Sequence, residues 1–289
     1  MKRLISMLIR LVIVLVLFVL VTVTTVCGVI GYVGYKNATA DRPVTEAIGE
    51  VQAQANYTPI DNIPVIYENA VIATEDHRFY DHGGFDVVAT IRALLHNAFA
   101  HEVLEGGSTI TQQLAKNLYF DNTPSFSRKL AELFIAKDIE KHYSKDQILA
   151  AYINCIYYGN GYYNIYDASM GYFGVPPAQL NNDQATLLAG VPNAPSLYAP
   201  TVNMTLARQR QQQVLNAMVD NNMLTREEAN SIAPLTSTNS LVPFWREQGY
   251  FYCFDFNCSR CVSHALTKKS ATAAHTKANI TAYICVNAS

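Results

Sequence analysis

The 289-residue chain is short of charge and cysteine, and each shortage excludes something. Charged residues make up only 15% of it, with 21 Lys and Arg against 23 Asp and Glu for a net charge of −2. The basic footprint of a nucleic-acid binder is missing, so no nucleic acid is expected as a partner. There are six cysteines, and Cys253, Cys258, Cys261 and Cys285 all fall after residue 250. They cannot staple the middle of the chain, whose core must come from packing. Sustained two-residue alternation, internal repeats and a glycine-rich nucleotide loop are absent as well. At 50% hydrophobic the chain is still too apolar to be disordered, which leaves one or two globular domains.

Charge is most conspicuously absent from Leu11 to Tyr35, 25 consecutive positions without a single charged residue. At about 1.5 Å per residue a helix of this length spans the roughly 30 Å hydrocarbon core, so a transmembrane helix is expected. The run is too long for the apolar stretch of a signal peptide, and no small-x-small cleavage site precedes the polar residues that follow. Bulky Val26 before Cys27 argues against a lipoprotein cysteine. Lys2, Arg3 and Arg10 crowd the N-terminal side, while Lys36 and Arg42 are offset by Asp41, Glu46 and Glu50. This bias puts residues 1–10 in the cytoplasm and the chain beyond residue 36 outside it, on a single-pass anchor.

Residues 36–59 read as a polar juxtamembrane stalk with room for one short helix, and residues 60–232 as an α-dominated domain. An amphipathic run opens at Ser127 and continues through His142. Ser144 with Gln147 makes a capping box for a run ending at Gly159, and Thr225 with Glu228 makes another. A helix from about Asn182 is stopped by Gly190 and Pro192. Another covers about Thr205 to Val219, with Leu206, Val214, Leu215 and Met218 on its apolar side. Residues 233–289 turn to Ser, Thr, Asn and Ala without clear periodicity and read as a tail of unspecified structure.

Three stretches concentrate chemistry. Glu75-Asp76-His77-Arg78-Phe79-Tyr80-Asp81-His82 follows the apolar Val71-Ile72-Ala73 and turns at Gly83-Gly84. A carboxylate at the end of an apolar helix is partly desolvated, which suits general acid or base work. The same residues also fit a solvated charged loop or, less well by spacing, a metal site on His77 and His82. In Gly106-Gly107-Ser108-Thr109-Ile110-Thr111-Gln112-Gln113-Leu114-Ala115-Lys116-Asn117, a helix puts Thr109, Gln112, Gln113 and Lys116 in one polar stripe and turns Ile110 and Leu114 to the core. Uncharged donors and acceptors suit sugar hydroxyls, and Ser108 at the helix start suits an anion, although such faces also occur as plain solvated surface. Arg128 and Lys129 stand in the first turn of their helix, where the macrodipole disfavours cations. That conflict asks for an anion nearby, or for a simple intrahelical pair between Arg128 and Glu132.

Four motifs agree in order and spacing with the family 51 glycosyltransferases, the peptidoglycan glycosyltransferase domain of class A penicillin-binding proteins and of their monofunctional relatives. They are Glu75-Asp76-x-x-Phe79-x-x-His82-x-Gly84-x-Asp86, then Gly106-Gly107-Ser108-Thr109-x-Thr111-Gln112-Gln113-x-x-Lys116-Asn117, then Arg128-Lys129-x-x-Glu132, then Ile148-Leu149-x-x-Tyr152-x-Asn154 running on to Tyr158-Gly159. Tyr172-Phe173-Gly174 and the stretch from Leu188 to Ser196 also match. The chain thus resembles that family over about residues 60–232.

The resemblance implies a mainly α, lysozyme-like fold, with a head and a membrane-proximal jaw, that polymerises lipid II into glycan strands. Glu75 matches the family's general base, which activates the acceptor 4-hydroxyl. Glu132 matches the second acid, which assists departure of undecaprenyl pyrophosphate or holds a divalent cation, Mg or Mn, beside it. Lys116, Arg128 and Lys129 match the cations that neutralise the leaving group. Asp76, Arg78, Arg92, Ser108, Thr109, Gln112 and Gln113 match the substrate subsites, with Phe79 and His82 shaping the loop. The implied partners are lipid II, the growing glycan strand, the membrane and other cell-wall synthesis proteins. Leu94 to Glu105, with Leu95, Ala98, Phe99 and Leu104, lies where the family's jaw dips into lipid.

The sequence departs from the family at Pro124, where many relatives carry a basic residue. It also has no Ser-x-x-Lys and no Lys-Thr-Gly, so no transpeptidase is expected. Cys253, Cys258, Cys261 and His264 make a weak zinc pattern. Two rival functions keep the same fold. A glycan hydrolase would use Glu75 as acid but has no need of three cations for a pyrophosphate, and a non-catalytic scaffold of a cell-wall synthesis complex has no need of both acids.

Overall fold

A computed structural model describes residues 2–100, 106–121 and 123–233. The apolar side chains of Leu94 to Glu105 expected to meet lipid, and the C-terminal cysteines with His264, lie outside the described residues. The described chain is helical, with no strand among the described residues. Its helices are α1 (Lys2–Thr39), α2 (Val44–Gln52), α3 (Val65–Glu75), α4 (Val87–Ala100), α5 (Ile110–Tyr119) and α6 (Phe126–His142). There follow α7 (Lys145–Ile153), α8 (Ile165–Phe173), α9 (Asn182–Gly190), α10 (Pro195–Tyr198), α11 (Met204–Asp220) and α12 (Arg226–Ile232).

The helix α1 contains the span Ile5–Thr39 and is the one helix among the described residues long and apolar enough to cross a membrane. Its last turns do not stand free. They lie against α6, where a Cβ on Gly31 would come within 2.7 Å of the Phe134 ring and one on Gly34 within 3.0 Å of Ala131. Tyr32 meets Phe134 edge-on at 6.0 Å and Tyr35 stacks on it at 6.5 Å, while the Tyr35 hydroxyl donates to Asp138 Oδ2 at 3.0 Å.

Caps set most of the other helix ends. Ser144 with Gln147, Asn181 with Gln184 and Thr225 with Glu228 form capping boxes that start α7, α9 and α12. The helix α6 begins one step earlier than its sequence indicates, because Ser125 rather than Ser127 takes the cap. The helix α7 stops at Ile153, well before Gly159, where Asn154 turns back to bond the backbone of Thr58.

The core runs between α3, α9 and α11 on one side and α5, α6 and α7 on the other. Ile110, Leu114, Ile135, Ile139, Ile148 and Leu149 fill the second part, and at about 25 cal/mol per Å² burial of such side chains is the main stabilising term. Val44, Ala47, Ile48 and Val51 of α2 are buried in that core, so the segment between the membrane helix and α3 contributes packing of its own.

Candidate active site

Glu75 is the last residue of α3, and the loop that follows is a rigid joint. Asp76 is buried. Its Oδ2 accepts from the backbone N–H of Ile110 at the start of α5 at 3.1 Å, and its Oδ1 meets His82 Nε2 at 2.8 Å. Arg78 forks onto Asp86 through Nε at 2.9 Å and through Nη2, and Asp86 also accepts from the Ala89 N–H that opens α4 at 3.0 Å. Burial works to raise the Asp86 pKa, but these donors outweigh it and hold the carboxyl down at about 2. Phe79 is wholly buried beneath the loop, against the ammonium of Lys145 at 4.3 Å. Gly84 presses on the backbone of α6, where a Cβ would come within 2.6 Å of the Ala136 carbonyl carbon. No other residue fits there. Thr109 caps α5 and donates to Gly84 O at 2.9 Å, so one hydroxyl closes the joint from both sides.

The half-buried Glu75 carboxylate accepts from Gln113 Nε2 at 2.9 Å, and Gln113 Oε1 accepts from the Tyr152 hydroxyl at 3.0 Å. Tyr152 is fully buried, and burial, reinforced by the nearby Glu75 charge, pushes its phenol well above the ordinary range. It therefore stays a donor at any working pH.

Glu132, by contrast, lies on the inner side of α6 at 1% exposure, between two cations. Arg128 Nε stands 3.1 Å from its Oε1 and Lys129 Nζ 2.8 Å from its Oε2. Lys129 also donates to Ser108 Oγ at 2.7 Å, and Arg128 reaches the carbonyls of Asp121 and Thr123, shortly before Pro124. Lys116, one turn beyond Gln113 on α5, has no hydrogen-bond or ion-pair partner among the described residues. Desolvation, then the charges of Arg128 and Lys129, lowers its pKa against the pull of Glu132 and Glu75. A poorly solvated ammonium flanked by other cations is a place for an anion.

The expected residues thus sort into three sets. Glu75 and Gln113 meet at one end of α5, and Ser108, Lys116, Arg128, Lys129 and Glu132 gather beside α6. Asp76, Arg78, Phe79, His82 and Thr109 build the joint instead of lining an open surface. Gln112 is 1% exposed with Nε2 unpartnered, because α5 is covered on more than the one face its periodicity indicates. Arg92 Nη1 lies 3.3 Å from His77 Nε2, and burial followed by the Arg92 charge lowers the pKa of that histidine. Asp76, His82 and Asp86 come within 4.8 Å of one another, as metal ligands do, but both carboxylates already accept from protein donors. Sequence reasoning passed over Tyr152 and Asp86 as site residues, although both stand at motif positions.

The transglycosylase family model matches residues 41–219, which hold this whole constellation. The chain belongs to the transglycosylase family. The chain is 43% identical over 190 residues to penicillin-binding protein 1A of Neisseria flavescens, covering 66% of this chain and 24% of that protein. It is 40% identical over 176 residues to penicillin-binding protein 2D of Bacillus subtilis, covering 61% and 26%. The chain therefore spans about a quarter of the length of the curated relatives it matches. Among solved structures, penicillin-binding protein 1A from Haemophilus influenzae aligns at a TM-score of 0.27 and 20% identity, over 43% of this chain and 15% of that one. That overlap is too slight for any argument to rest on it.

Proposed function

We propose that the transglycosylase domain is an inverting peptidoglycan glycosyltransferase that polymerises lipid II into β-1,4 glycan strands and releases undecaprenyl pyrophosphate. The observation that carries this reading is the pairing of a half-buried carboxylate, Glu75, with a separate cationic set, Lys116, Arg128 and Lys129, coupled to it through α5. A hydrolase has use for the first and none for the second.

In this reading Glu75 takes the proton of the acceptor 4-hydroxyl as its oxygen attacks the anomeric carbon of the lipid-linked donor. The bond to the pyrophosphate oxygen breaks on the opposite face, which turns an α linkage into a β linkage. The electron pair leaves on the pyrophosphate, and Lys116 and Lys129 stabilise the developing charge. Glu132 acts through its neighbours by holding Arg128 and Lys129 in place. Glu132 Oε1 lies 3.1 Å from Arg128 Nε but is buried without a hydrogen-bond partner, so Glu132 is the residue that would hold a divalent cation here, and such an ion would neutralise charge on the pyrophosphate. The domain works outside the cytoplasm on the end of α1, its N-terminus inside, so that enzyme and lipid-linked substrate share one membrane surface.

The test is incubation of the detergent-solubilised full chain with labelled lipid II, beside Glu75→Gln, with products read by gel. Glycan ladders from the wild type alone are expected. Ladders from both proteins, or from neither, overturn the reading.

A further inference from the structure

The relay from Tyr152 through Gln113 to Glu75 has a direction. A glutamine amide can present either end to a neighbour, and here the contact with Glu75 decides which, since a carboxylate can only accept. Nε2 donates to Glu75 Oε2 at 2.9 Å, so Oε1 is left to accept from the Tyr152 hydroxyl at 3.0 Å. The order cannot reverse while Glu75 is ionised, because a flipped amide would set Oε1 against a carboxylate oxygen, acceptor against acceptor, and with Oε1 turned to Tyr152 the phenol must donate. Burial of Tyr152 keeps the phenol proton in place. Tyr152 cannot wander either, being packed at 1% exposure on α7, whose start is fixed by the Ser144 capping box.

We infer that Tyr152 is a positioning residue for the transfer reaction: through Gln113 it holds the Glu75 carboxylate in one rotamer, with its remaining lone pairs turned to the acceptor hydroxyl. This rests on the reading of Glu75 as general base. It reassigns Gln113 from a sugar subsite to the support of Glu75, and it gives the tyrosine of α7 a task that its burial alone would not disclose. The other groups that face Glu75 are Lys116 from α5 and Tyr67 from the same helix. Neither contacts Gln113 through a hydrogen bond.

The experiment compares Tyr152→Phe, Tyr67→Phe, Gln113→Met and Glu75→Gln in the full chain with labelled lipid II, measuring kcat, KM, the pH profile of kcat and the melting temperature. Tyr67 is a matched control, a buried tyrosine whose hydroxyl lies 2.6 Å from Tyr158 rather than at the relay. Tyr152→Phe is expected to lower kcat about tenfold with KM nearly constant, and to displace the acid limb of the kcat profile. Tyr67→Phe should leave that limb in place whatever it does to melting. Gln113→Met should reproduce the Tyr152→Phe loss, and the double variant should lose no more than Gln113→Met alone, because both changes cut one relay. A Tyr152→Phe kcat within twofold of wild type while Glu75→Gln is inactive overturns the relay and spares the base. Additive losses in the double variant overturn it too. Activity in Glu75→Gln removes the base itself.

Discussion

Glu75 closes a helix and is held by a neutral amide, whereas Glu132 sits inside a helix between an arginine and a lysine. The difference separates two tasks that a carboxylate can have. A group that must accept a proton keeps part of its surface and some of its lone pairs open, as half-buried Glu75 does. A group that must keep cations in place spends its oxygens on them, as Glu132 does. The cost of the second arrangement falls on Lys116, which has charge pressed on it from Arg128 and Lys129 and no partner among the described residues.

Four changes can break or sharpen this contrast. Glu75→Gln removes the base and no ion pair, so polymerisation should fall by about a thousandfold or more with little change in melting temperature. Unchanged ladders from lipid II would erase the distinction. Glu132→Gln should do the reverse in kind, destabilising the fold by about 2 kcal/mol in chemical denaturation, less than a fully buried pair because Lys129 is partly in solvent. Equal stability of the two variants would show that both carboxylates are held alike. Replacing Arg128 and Lys129 together by Ala should weaken binding of a pyrophosphate-bearing lipid by about tenfold and leave binding of a neutral glycan alone. Equal losses for both ligands would count against a cationic leaving-group site.

The smallest effect concerns Lys116. Its pKa is lowered in the fold, so it holds an anion while charged and releases it as pH rises through that lowered value, below the 10.5 of an ordinary lysine. Pyrophosphate affinity, measured by titration calorimetry, should therefore fall severalfold on the alkaline side earlier than a free lysine allows. In Lys116→Arg the charge persists and the fall should vanish over the same range.

What was legible in the sequence was the chemistry that acts within one helical turn. The capping boxes at Ser144 and Thr225, the break at Gly190 before Pro192 and the Arg128 to Glu132 spacing all depend on residues at most four apart, and all appear in the structure. Pairings across the fold were not legible. Arg78 reads as a free cation for a phosphate until the turn at Gly83-Gly84 brings Asp86 onto it. Gln112 reads as part of an open polar stripe, because periodicity reveals one buried face of α5 and not the cover on the others. The burial of α2 was hidden in a segment whose prolines and acids resemble a spacer. The motif spacing marked Tyr152 without saying what it touches, since its partner lies 39 residues away.

The docking of Gly31 and Gly34 on α6 gives the membrane helix a further meaning. A helix that spans lipid adjusts its tilt to the thickness of the bilayer around it. Here the same helix continues without a break to Thr39 and is locked through Phe134 and Asp138 onto the rod that carries Arg128, Lys129 and Glu132. Any lean that α1 takes in a thinner or thicker membrane is handed to that rod with no hinge between to absorb it. Lipid composition thereby becomes a mechanical input to the angle at which the cations meet the membrane surface.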